Sequence, residues 1–123
     1  MDKRHARRLK IVQQLYAVMH EDSLTSKNLT EKTKEILNHT NNFDLRVHDV
    51  AQKYTVDKIA KVDISILRCA LYELLIEKKV PPKVIINEAV ELAKELGSEK
   101  SPSFVNAVLG KIYEQELSLK NQK

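Results

Sequence analysis

A chain of 123 residues that is 42% apolar, with only two glycines and three prolines, has material for one packed domain and few backbone breakers, which argues against a disordered or loop-dominated protein. No run of about 18 uncharged apolar residues is present and the basic N-terminus lacks the apolar stretch of a signal peptide, so the sequence points away from membrane insertion and secretion and toward a cytoplasmic protein. The net charge of +4 is concentrated at one end: Lys3, Arg4, Arg7, Arg8 and Lys10 face only Asp2 within the first ten residues, and the two signs balance elsewhere.

Helical spacing recurs along the whole chain and no alternating strand pattern competes with it. A first helix over about 3–21 gathers Leu9, Val12, Leu15, Tyr16 and Met19 on one face, and Arg4 and Arg8 project into that same sector. "EDSLTSKN" reads as a turn. A second helix is expected over about 29–39, using Leu29, Ile36 and Leu37, with "TNNFD" as its break. Phe43, Val47, Val50, Ala51 and Tyr54 then predict a one-faced helix over 43–54, after which Thr55 caps a short turn carrying Val56 and Ile59.

The most apolar stretch, "ISILRCALYELLIEK", predicts the central helix, capped by Asp63 and stopped by Pro81 and Pro82. A helix through "KVIINEAVELAKEL" turns Ile85, Ala89, Leu92 and Leu96 inward, with Gly97 as a left-handed stop. In the last helix Ser101 is expected as N-cap and Pro102 as the first helical residue, and Phe104, Val105, Val108, Leu109 and Ile112 are expected inward to about residue 117, followed by a disordered tail. About six helices with short connections make a compact all-α bundle, a single domain over 1–123 with an N-terminal helical half to about 60 and a C-terminal half over about 61–117.

Few residues suggest catalysis or a cofactor. His5, His20, His39 and His48 are irregularly spaced and offer no metal-ligand pattern, and Gly97 and Gly110 are isolated, so no glycine-rich phosphate cradle exists. Cys69 lies among Leu67, Ala70 and Leu71 and reads as a small core residue. Glu88, Glu91, Lys94 and Glu95 read as a solvated helix face, Asn87 as exposed, and Asn106 as a satisfied helix contact. The basic opening fits either a site for a polyanion, nucleic acid first, or a solvated frayed end.

"ILR-x-ALYEL" at 66–74, "VP-x-KV-x-INEAVELAK" at 80–94 and "FVN-x-VL" at 104–109, together with "RR" at 7–8, "QQLY" at 13–16 and "YTVDKIAKVD" at 54–63, closely resemble the NusB family of bacterial transcription antitermination factors. The resemblance implies an all-α fold of two helical subdomains and no enzymatic activity. It also implies pairing with the ribosomal protein NusE, binding of boxA-type RNA and action on the transcription elongation complex, with self-association in some relatives. Carried over residue by residue, it assigns RNA contacts to Lys3, Arg4, Arg7 and Arg8, with Arg4 and Arg8 overhanging the bundle to reach phosphates or bases. Lys100, where the family often has aspartate, favours an anion, and Phe104 stacks on a base or packs in the core. Tyr16 and Asp63 match positions that face the ribosomal partner, Asp63 also being a helix cap. The stretch before residue 43 is shorter than usual for the family, Ser103 replaces a common lysine, and Pro82 and Ala107 replace a tyrosine and a glycine. Two further readings are an RNA-recruiting domain like that of certain ribosomal RNA methyltransferases, and a helical protein-protein adaptor.

Overall fold

A computed structural model describes residues 2–20 and 28–121, so most of the expected turn at 21–28 lies outside the described residues. Six α-helices follow in order: α1 (Lys3–Val18), α2 (Glu31–Leu37), α3 (Thr40–Val50), α4 (Lys61–Leu71), α5 (Pro82–Leu96) and α6 (Ser101–Asn121). A 3-10 turn at Val56–Lys58 precedes α4, and a π-helical segment, Tyr72–Glu77, prolongs it. The described residues form no strand, so the all-α expectation holds.

One hydrophobic core joins the helices. Val12 and Leu15 of α1, Ile36 of α2, Phe43 and Val47 of α3, and Leu67 and Leu71 of α4 meet Ile85 and Leu92 of α5 and Leu109 and Ile112 of α6. All are sequestered from water, each large side chain contributing about 1.5–3 kcal/mol relative to exposure. α4 is central, packing on α1, α3, α5 and α6, because nine of its eleven residues are buried. Cys69 is among them, and burial pushes its thiol up to about 12, so it remains a neutral core group.

Helix boundaries are set by local chemistry, and several differ from the sequence expectation. Asp2 caps α1, its carboxylate accepting from the Arg4 amide at 2.9 Å. Thr30 caps α2 through the Thr33 amide, and Gln14 of α1 accepts from the Thr33 hydroxyl at 2.6 Å and the Thr30 amide at 3.2 Å, fastening α2 to α1. The break after α2 falls at Asn38 and His39, so "TNNFD" lies inside α3, where the two asparagines are exposed and ask nothing of the core. α3 stops at Val50, leaving Tyr54 beyond the helix and exposed. The Thr55 hydroxyl makes no capping bond.

Asp63 does not cap the central helix. Ala60 occupies that position, and Asp63 is the third helical residue, because the chain enters the helix three residues earlier than the apolar pattern begins. The prolines do not stop it either: Lys78, in the left-handed region at φ 55°, ends the π segment, and Pro82 instead opens α5 at a position where a missing amide costs nothing. Gly97 is extended rather than left-handed. It is required for room, since a Cβ there would lie 2.4 Å from the Ser101 hydroxyl oxygen. That hydroxyl turns back to accept from the Ser98 amide at 2.9 Å instead of capping forward. α6 runs four residues past the expected end: Ser118–Asn121 contain no breaker, and exposed Leu119 shows that backbone hydrogen bonding rather than burial carries the last turn.

Candidate nucleic-acid interface

The first two turns of α1 sort their positive charges by direction. Lys3, Arg4, Arg7 and Lys10 are exposed, whereas Arg8 is only 8% exposed. Its Nε and Nη2 each donate to Glu73 at 2.9 Å, a bidentate pair, and Glu88 lies 3.8 Å from Nη1. Hydrogen bonding to Glu73 raises the guanidinium pKa above its ordinary value. The expectation that Arg8 overhangs the bundle and reaches RNA is therefore corrected. Its place on the apolar stripe carries it over the π segment, whose wide turn brings Glu73 beneath it, and a buried charge without that partner would be costly.

His5 lies beside this pair. Its Nδ1 is 2.9 Å from Glu88 and its Nε2 2.7 Å from Glu95. Carboxylates only accept, so holding both requires a proton on each ring nitrogen. The bond to Glu88, then that to Glu95, raises the imidazole pKa against the opposing effect of burial. Two members of the presumed solvated face of α5 thus clamp α1, a pairing that sequence spacing did not signal because the partners are more than 80 residues apart. Lys94 and Glu91 do pair in solvent as expected, at 3.2 Å. Asn87 is exposed as expected, and Asn106 is exposed too, on the outer side of α6 rather than in a helix contact.

The remaining candidates separate into groups. Lys100 and Phe104 meet Asp63, Tyr54 and Lys58 around a cavity of about 400 Å³, where the Tyr54 and Phe104 rings stand edge to face at 6.0 Å. The sequence reading assigned Asp63 to a protein partner and the other two to RNA; the fold places all three on one rim, with Phe104 half-buried. Tyr54 and Lys58 went unnoticed as site residues because Tyr54 fits a helical core spacing that the early end of α3 interrupts. Asp63 is buried, and its Oδ1 has no hydrogen-bond partner among the described residues. Tyr16 sits apart from this rim on α1, exposed, with its ring 4.4 Å from that of His20.

Arg4 and Arg7 line a second concavity of about 240 Å³ between α1, α2 and the segment that leaves the π turn. Lys32 and Lys79 complete its rim, and Lys32 bonds Glu77 at 2.9 Å. No helix among the described residues is long and apolar enough to cross a membrane.

Comparison with known proteins places this arrangement. The sequence model of the NusB family matches residues 5–114. The transcription antitermination protein NusB of Clostridium tetani is 40% identical over 94 residues, which is 76% of this chain but only 61% of that protein, so the match spans about three fifths of the relative. The solved structure of T. maritima NusB superposes with a TM-score of 0.77 at 30% identity, covering 92% of each chain. A structure of the antitermination factors NusB and NusE in complex with dsRNA shares the fold at a TM-score of 0.61 and 21% identity, covering 93% of this chain and 99% of that one. With a family match over most of its length and the fold of a solved relative, the chain belongs to the NusB family.

Proposed function

We propose that this chain is a transcription antitermination factor that pairs with NusE and binds boxA-type single-stranded RNA, supporting passage of the elongation complex through ribosomal RNA genes in the cytoplasm. The observation that carries the reading is the separation of charge on α1: Arg8 and His5 are held by carboxylates, while Lys3, Arg4 and Arg7 stand exposed on the same two turns. Three outward cations on a rigid helix suit successive phosphates, which supply most of the affinity in nucleic-acid binding. Phe104 and Lys100 offer an aromatic surface and a charge at a second point of the same molecule. Support for the partners comes from a NusB relative of the same fold solved with NusE and RNA.

The protein partner is assigned to Tyr16 and Asp63. Tyr16 is exposed on α1, and Asp63 lines the cavity beside Lys58 and Lys100. NusE capture is expected to weaken in Tyr16→Ala and Asp63→Asn, with RNA affinity of the isolated chain unchanged in Tyr16→Ala.

The test is titration of a boxA-type single-stranded RNA, with and without NusE, at several salt concentrations. Replacing Arg4 and Arg7 together by glutamine should lower the slope of log affinity against log salt by about 1.4, at ~0.7 per single-strand phosphate contact. An unchanged slope removes Arg4 and Arg7 from the binding surface. Preference for folded ribosomal RNA over the linear element would favour the methyltransferase-like reading, and NusE binding without any RNA affinity a plain adaptor.

A further inference from the structure

The groove beside α1 is built from three separate parts of the chain. Arg4 and Arg7 come from α1, Lys32 from α2, and Lys79 from the turn between the π segment and α5. Lys79 follows Lys78, whose left-handed backbone swings the chain out of the helix and sets the next side chain on the rim. The floor includes Ile11, Ile36 and the Cys69 thiol, all buried and uncharged. A low-dielectric floor strengthens the field of the cations above it.

Five cations line this groove against two carboxylates, and both carboxylates are already engaged. Glu73 holds Arg8 at the base, and Glu77 holds Lys32 at 2.9 Å. No carboxylate among the described residues lies within ion-pair distance of the side chains of Arg4, Arg7 or Lys79. The fold has therefore converged three cations with no ion-pair partner among the described residues, from two elements, on one concavity whose positive potential attracts an anion.

We infer that this groove seats a backbone phosphate of the bound RNA between Arg7 and Lys79, so that the strand crosses from α1 onto the turn before α5 instead of running along α1 alone. The inference rests on the RNA-binding reading and adds to it a second wall, Lys79 and Lys32. Glu77 sets the depth of the seat: its charge opposes the phosphate and restrains Lys32, so its removal strengthens the site.

The probe is a labelled boxA-type single-stranded RNA, titrated into the full chain with NusE present, for wild type, Lys79→Gln, Glu77→Gln, Arg7→Gln and the control Lys111→Gln on the outer face of α6. Circular dichroism melting verifies folding. Lys79→Gln is expected to lower the salt slope by about 0.7 and affinity at 0.15 M salt about fourfold, as one lost single-strand phosphate contact requires. Lys111→Gln should match wild type. Glu77→Gln is expected to bind more tightly, a gain that misfolding does not produce. If Arg7→Gln weakens binding while both Lys79→Gln and Glu77→Gln behave as wild type, the strand bypasses the groove and this inference fails with the RNA reading intact. If wild type fails to bind the RNA even with NusE, both fall together.

Discussion

Arg8 and His5 show how two basic residues in one motif acquire opposite roles from those of their neighbours. The Arg8–Glu73 pair is buried on both sides, its two side chains each 10% exposed. Removing one partner strands the other charge away from water, so Arg8→Ala should cost about 3 kcal/mol or more of unfolding free energy, measured by urea titration. The double replacement Arg8→Met with Glu73→Leu should recover most of that loss, because two apolar groups need no partner. His5 gives a pH signature. Its pKa is raised on folding by Glu88 and then Glu95, so its stabilising effect is complete below the ordinary value of about 6.5 and is lost as pH rises through the higher folded value. Wild-type stability should therefore decline above pH 6.5 more steeply than that of His5→Gln, as urea midpoints across pH 6–9 would reveal.

At the scale of elements, the two glycines of the last third of the chain behave differently. Gly97 joins α5 to the turn before α6 at a point where a Cβ meets the Ser101 side chain at 2.4 Å and a backbone carbonyl at 3.0 Å. Ser101 is itself buried and cannot withdraw, so Gly97→Ala should destabilise by about 1–3 kcal/mol through overpacking. Gly110 has nothing within 4 Å of the equivalent position inside α6, and Gly110→Ala should stabilise by about 0.5–1 kcal/mol by favouring the helix. Thermal melts of the two variants should move in opposite directions. The π segment deserves its place in the same scheme, since its wide turn presents both Glu73 to Arg8 and Glu77 to Lys32.

Across the whole molecule, ion pairs fix helix placement from beneath while the outward cations remain available. Arg68 of α4 grips Asp44 of α3 through two bonds, at 3.1 and 2.8 Å, and Arg46 of α3 reaches Glu116 of α6 at 2.9 Å. Replacing Lys3 and Arg7 by glutamine touches neither these pairs nor the core, so the melting temperature should stay near wild type while the RNA association rate falls and loses part of its salt dependence. A large loss of stability in that variant would show the outward charges to be structural.

The sequence by itself determined the all-α class, the order of six helices, the identity of the central one and nearly all the core positions, because each depends on residue spacing within one or two turns. It also located the basic end of the chain. Helix ends were less legible: Gly97, Pro81 and Asp63 carry the expected residue types but act through a close approach, a following helix and a buried first turn. Only tertiary structure decided that Arg8 is neutralised while Arg4 and Arg7 find no ion-pair partner among the described residues, that His5 is clamped by α5, and that Lys79 and Lys32 share a groove with α1. Those outcomes depend on which groups meet across distant parts of the chain, up to 90 residues apart, and charge burial is a property of the packed ensemble of helices rather than of any local pattern.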